Sequence, residues 1–175
     1  AILTGHANGV ITVNLAEADD AEREGRRVAM HEPYRTLLGH FRHEVGHYYW
    51  DRLIRDTGWL PQCRTLFGDD REDYSEALNR HYQNGPRPDW QSQFVSAYAS
   101  VHPWEDWAET WAHYLHITDT LETATACGLA LRPQAPNACR VKPRFSLEKA
   151  EYALFDDMMD DWFAMTYVLN SLNRG

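Results

Sequence analysis

The sequence has no apolar run approaching the ~18 residues that cross a bilayer as a helix. Its start, Ala1-Ile2-Leu3-Thr4, carries neither the basic flank nor the long apolar stretch of a secretory signal. No membrane partner is expected, and a cytoplasmic location is the expectation. Cations are scarce as well: 17 Lys and Arg face 26 Asp and Glu, for a formal net charge of -9. Binding to a phosphate backbone needs clustered Lys and Arg, so nucleic acid is not an expected partner. Cysteine is limited to Cys63, Cys127 and Cys139, an odd number without the close spacing of a zinc ribbon. Reduced thiols are expected, with Cys127 and Cys139 as the one pair that could close in an oxidising compartment. Internal repeats and low-complexity segments are absent.

What remains is a chain of 175 residues, 43% hydrophobic and 13% aromatic, enough for one substantial core and too short to promise two. A single domain over residues 1–175 is expected. Asn8-Gly9 is a hairpin turn signal, and the β-branched stretch Val10 to Leu15 reads as a strand. Asp19 to Met30 is charged and belongs at the surface. Leu37, Leu38, Phe41, Val45, Tyr48, Tyr49, Leu53 and Ile54 recur near helical spacing, with Pro33 suited to the first turn and Gly58 to the stop. Gly39 and Gly46 stand seven residues apart on one stripe of that helix, where each costs about 1 kcal/mol against alanine, so a close neighbour is expected there.

Leu60 to Asp70 reads as a loop, Glu72 to Tyr82 as a short helix, and Asn84-Gly85-Pro86-Arg87-Pro88 as a break. Trp90 to Tyr98 is a further short helix. Pro103 opens another, with Glu105 and Asp106 in the first turn where the helix dipole favours them, running to about Ile117. Leu131 to Phe145 is an irregular connection. A long helix follows from Ser146, with Phe155, Met158, Met159, Trp162, Thr166 and Leu169 on its core face; Asp156, Asp157, Asp160 and Asp161 read as a solvated surface. The fold class is α+β and helix-rich.

The most informative segment is His43-Glu44-Val45-Gly46-His47. On a helix the two histidines lie four residues apart on one face, so both imidazoles can reach a single zinc ion. Glu44 beside them is placed to act as general base on a water that the metal has made acidic. Such a site keeps three protein ligands and an open position, so a third donor must come from elsewhere. Glu105-Asp106-Trp107-Ala108-Glu109 is the best source. Glu105 and Glu109 share one helix face, which allows the first to bind metal and the second to accept a hydrogen bond from a ligating histidine. The reverse assignment, Glu109 as ligand, stays open, and so does Asp106. Tyr98 is either a donor to the oxyanion formed on attack at a carbonyl or an aromatic core residue. His40, His113 and His116 are satisfied structural histidines before they are site residues. Tyr48-Tyr49-Trp50 with Trp104, Trp107 and Trp111 build a wall between the two helices.

These residues stand in Leu3-Thr4-Gly5-His6, Asn8 through Asn14, Pro33 through Asp51, Val95 through His116 and Leu169 through Arg174. Over nearly its whole length the chain resembles the bacterial putative zinc-binding metallopeptidase family, whose longer members often carry an N-terminal zinc ribbon that is absent here. Tyr98 through Glu109 is also similar to the third-ligand region of gluzincins of the anthrax lethal factor type. The resemblance implies a zincin-like catalytic domain with a small sheet or edge strand packed on the His-Glu-x-x-His helix. It further implies Glu105 as ligand, Glu109 as its supporting acid and Tyr98 as transition-state stabiliser. The expected activity is that of a zinc-dependent endopeptidase acting on peptide or protein substrates, with one catalytic Zn2+ held by His43, His47 and Glu105. A non-catalytic zinc-binding scaffold and a hydrolase of a non-peptide amide are the competing readings.

Overall fold

The computed structural model describes residues 4–29, 36–131 and 155–174. Backbone packing divides the chain into two compact units, Ala1–His113 and Tyr114–Gly175.

The first unit opens with an antiparallel hairpin, β1 (Gly5–Ala7) and β2 (Val10–Thr12), in the register Gly5↔Thr12, His6↔Ile11 and Ala7↔Val10. Its two-residue turn requires left-handed backbone at both positions, which Asn8 (φ 51°) and Gly9 (φ 79°) supply. The strand ends earlier than the β-branched run suggests. Asn14 leaves the ladder to cap a short 3-10 turn, Leu15–Ala18, its side chain accepting from the Ala16 N–H. The charged segment that follows forms α1 (Asp20–Ala29), which buries none of its residues.

The motif helix α2 spans Leu37–Tyr49, its first turn capped by Thr36, whose hydroxyl accepts from the Gly39 N–H. Pro33, expected in that first turn, lies outside the described residues. The helix widens into a π turn at Trp50–Ile54 and stops where Asp56 takes a positive φ of 59°, two residues ahead of the expected Gly58. Both strands of the hairpin pack against α2.

The segment after it corrects the expected loop: α3 (Leu60–Phe67) is a helix, with Pro61 in its first turn and Gly68 closing it at φ 103°. It buries Cys63 against Trp50 and Ile54, with Leu60 and Phe67 packed beside it at helical spacing, a stripe too short to stand out in the sequence. Next come α4 (Tyr74–Asn84), capped by Asp73 and ended at Gly85, and the short α5 (Trp90–Gln93). Tyr98 opens a separate 3-10 turn, Tyr98–Val101, and is not the end of α5.

α6 (Pro103–Ala126) starts as expected and runs nine residues past Ile117. Ile117, Leu121 and Ala124 continue an apolar stripe at helical spacing, and Gly128 at φ 68° provides the stop. These three residues form the core of the second unit with Met158 and Met165 of α7 (Phe155–Asn173). The buried face of α7 is narrower than the sequence suggests. Met158 and Met165 are buried with Met159 and Trp162 packed beside them, whereas Phe155 and Leu169 are exposed. The expected start of this helix at Ser146, the irregular stretch before it, and any pairing of Cys127 with Cys139 lie outside the described residues. Cys63 and Cys127 are free thiols. No described helix is long and apolar enough to cross a membrane.

Candidate metal centre

The centre is assembled where α6 meets α2, within the first unit. A side chain at Gly46 would put its Cβ 3.0 Å from the Ala108 Cα and 3.2 Å from the Trp111 Cβ, so only glycine admits this approach. Trp107 reinforces it by donating its indole N–H to the Gly46 carbonyl at 2.9 Å. The expected aromatic wall is present: Tyr49 stacks on Trp111 at 4.8 Å, Trp50 meets Trp107 edge-on, and Trp104 lies 3.9 Å from His47, ring centre to ring centre.

The close approach carries Glu105, 1% exposed, against the two motif histidines. Glu105 Oε2 lies 2.9 Å from His43 Nε2 and 3.3 Å from His47 Nε2, and the two Nε2 atoms are 3.0 Å apart. Edges of that length match the ~3.3 Å separation of neighbouring donors around a tetrahedral Zn2+ with bonds of about 2.0–2.1 Å. Glu105 Oε2 is buried and makes no hydrogen bond among the described residues. Three lone-pair donors gathered this tightly call for a cation at their centre, and a two-nitrogen, one-oxygen set suits zinc. Among the described residues this is the one cluster of His, Cys, Asp and Glu able to hold a metal.

Burial would push the His43 imidazole down, but Glu105 and Glu109 on its two nitrogens override this and lift it to about 10. Burial works equally against the Glu105 carboxylate, and the imidazoles of His43 and His47 facing it outweigh that, holding Glu105 well below the usual carboxylate range.

A family model described as putative zinc-binding metallo-peptidase matches residues 1–175. The chain belongs to this family. It is 51% identical, over 174 residues, to an uncharacterized protein of Mycobacterium bovis and to uncharacterized proteins of two Mycobacterium tuberculosis strains. The matched segment is 99% of this chain and 48% of each relative, so the chain spans about half the length of the curated relatives it matches. No solved structure matches it significantly.

The remaining residues singled out in the sequence fall into distinct places. Glu109 Oε1 accepts from His43 Nδ1 at 2.7 Å, on the ring nitrogen opposite Glu105. Asp106 stands outside the donor cluster, with Thr110 as a distant partner at 3.5 Å; burial raises its carboxyl to about 6. Glu44 is buried on α2 next to His43 and makes no hydrogen bond or ion pair among the described residues, which leaves its carboxylate uncommitted. Tyr98 lies 6.0 Å from His43 between ring centres, and burial together with the Glu105 charge raises its phenol, so it is a persistent proton donor. His40, His113 and His116 are outside the ligand cluster. His40 Nδ1 is 2.6 Å from Glu17 Oε2, and His113 Nδ1 donates to the Glu109 carbonyl.

Three contacts went unread in the sequence. Tyr74 donates its hydroxyl to Glu105 Oε1 at 2.7 Å, Ser96 donates to Glu109 Oε2 at 2.6 Å, and Glu17 is buried against His40. Tyr74 and Glu105 are separated by 31 positions and Glu17 and His40 by 23, so no local period connects them. Ser96 lies two residues before Tyr98, and that proximity was the only available signal.

Proposed function

We propose that this chain is a zinc-dependent metallopeptidase with a zincin-like, gluzincin-type catalytic domain, hydrolysing internal peptide bonds of a peptide or protein substrate. The observation that carries this reading is the convergence of His43 Nε2, His47 Nε2 and Glu105 Oε2, with Glu44 following His43 on the same helix. His43, His47 and Glu105 would hold the zinc. When bound there, zinc supplies Lewis-acid activation of water and stabilises negative charge developing on the carbonyl oxygen.

The chain's own residues then divide the remaining work. The Glu44 carboxylate accepts a proton from the attacking water and returns it to the nitrogen of the leaving amine, a transfer worth roughly 10²–10⁴-fold in rate. Tyr98 directs its O–H toward the oxygen on which charge accumulates. Glu109 keeps the His43 proton on Nδ1, so that Nε2 presents a lone pair to the metal. The β1–β2 hairpin beside α2 offers backbone groups to an extended substrate, which would add to it as a further strand.

The test is metal analysis combined with one substitution. Purified protein should carry about one zinc per chain. Glu44→Gln should retain that zinc while losing nearly all turnover against a peptide library. Equal turnover in the two proteins would remove Glu44 as the base and with it the mechanism.

A further inference from the structure

A carboxylate can offer a metal one oxygen or two, and in this site the choice is made by a residue outside the motif. Tyr74 O–H donates to Glu105 Oε1 at 2.7 Å, and Oε2 faces the two histidines with no hydrogen bond of its own among the described residues. We propose that Tyr74 is a positioning residue of the metal centre, engaging Glu105 Oε1 so that Glu105 donates through Oε2 alone and the fourth corner stays open. The inference rests on the zinc-site reading given above, and deepens it.

The phenol is held firmly enough to do this. Tyr74 is the first residue of α4, directly after the Asp73 cap. Its ring meets the edges of His102 and Trp104, each at 5.5 Å between centres. His102 is fixed in turn: Nδ1 accepts from the Trp104 N–H at 3.0 Å, and Nε2 donates to the Glu72 carbonyl at 3.1 Å. Trp104 continues the stack onto His47. A single braced assembly therefore links α4, the entry to α6 and one of the ligand histidines.

The phenols of Tyr74 and Tyr98 lie close enough for each to influence the other's titration. Open coordination matters because a catalytic zinc needs three protein donors and one free position, and a chelating carboxylate would occupy that position.

The experiment compares metal-stripped wild type, Tyr74→Phe and Tyr98→Phe. Zinc affinity is read by competition with a chromophoric chelator, coordination number from the visible absorption of the cobalt(II)-loaded proteins, and folding from the thermal midpoint of the metal-free forms. Phe keeps the ring packing, so the Tyr74→Phe midpoint should stay close to wild type. Its zinc dissociation constant should rise roughly 10–100-fold, and its cobalt absorption should weaken as Glu105 chelates and the coordination number increases. Tyr98→Phe should change the affinity less than about threefold, because it leaves the Tyr74–Glu105 hydrogen bond in place. A Tyr74→Phe protein with wild-type affinity and an unchanged cobalt spectrum overturns the role of Tyr74 alone. Equal losses in the two variants also overturn it, by moving the effect to the phenol pair. A wild-type protein that takes up no zinc overturns the functional reading itself.

Discussion

Glu105 and Glu109 grip opposite nitrogens of the same ring: Glu105 Oε2 lies 2.9 Å from His43 Nε2, and Glu109 Oε1 lies 2.7 Å from His43 Nδ1. The second oxygen of each is taken by a hydroxyl, Tyr74 for Glu105 and Ser96 for Glu109. One turn of α6 thereby places one carboxylate against the His43–His47 pair and a second on the far side of the His43 ring.

The two acids should differ in what they cost the metal. Glu105→Ala removes a donor and should abolish stoichiometric zinc. Glu109→Ala should weaken binding by roughly 10–100-fold, and Ser96→Ala by less, since a hydroxyl partner adds only to the orientation of Glu109. Chelator competition on the three proteins gives the order. A greater loss with Glu109→Ala than with Glu105→Ala would reverse the ligand assignment.

Gly46→Ala should destabilise the protein even though alanine is the better helix former. The propensity gain of about 1 kcal/mol is opposed by a Cβ placed 3.0 Å from the Ala108 Cα and 3.3 Å from the Ala108 carbonyl oxygen, backbone atoms that cannot rotate away. Relief requires α6 to move off α2, at a cost of roughly 1–3 kcal/mol for overpacking, and takes Glu105 with it. A lower thermal midpoint together with weaker zinc binding is expected; a raised midpoint would show that the helices yield freely.

Asp106 gives a pH dependence of definite sign. Its carboxyl is raised by burial from 3.8 to about 6. The neutral form therefore stabilises the metal-free fold fully below the unfolded value, and this is lost as pH rises through about 6. Asp106→Asn, which stays neutral, should gain on wild type by ~2 kcal/mol between about pH 4.5 and pH 7.5. Urea unfolding at both pH values measures it. An advantage growing in the acidic direction would mean that the N-terminal dipole of α6 outweighs burial at this position.

Glu17→Ala should cost about 2–4 kcal/mol, because Glu17 is 1% exposed and its loss strands the His40 imidazole that it holds at 2.6 Å. Thermal unfolding of the metal-free protein reads this directly. A loss below about 0.5 kcal/mol, typical of surface positions, would remove the pair from the fold's supports.

The motif residues were legible because their geometry is local. Four residues on a helix fix the relation of His43 to His47, and four more fix that of Glu105 to Glu109, whatever the rest of the chain does. The Asn8-Gly9 turn, the Gly85 break and the Pro103 start were readable for the same reason: each depends on backbone angles that one or two residue types supply. α3 was not, since its core-facing stripe of Leu60, Cys63 and Phe67 lies within only eight residues, too short a window for the period to stand out between the flanking turn signals. The far end of α6 was underestimated where its stripe leaves the aromatic wall and becomes the core of the second unit at Ile117, Leu121 and Ala124.

By itself, then, the chain determined which side chains share a helix face, His43 with His47 and Glu105 with Glu109, through helix periodicity acting over a single turn. Only the tertiary structure decided that Glu105 meets both Nε2 atoms while Glu109 takes Nδ1, that Tyr74 and Ser96 engage those two acids, and that Glu17 is buried against His40. Those relations join residues tens of positions apart, and their distances exist only once Gly46 has let two helices close to backbone contact.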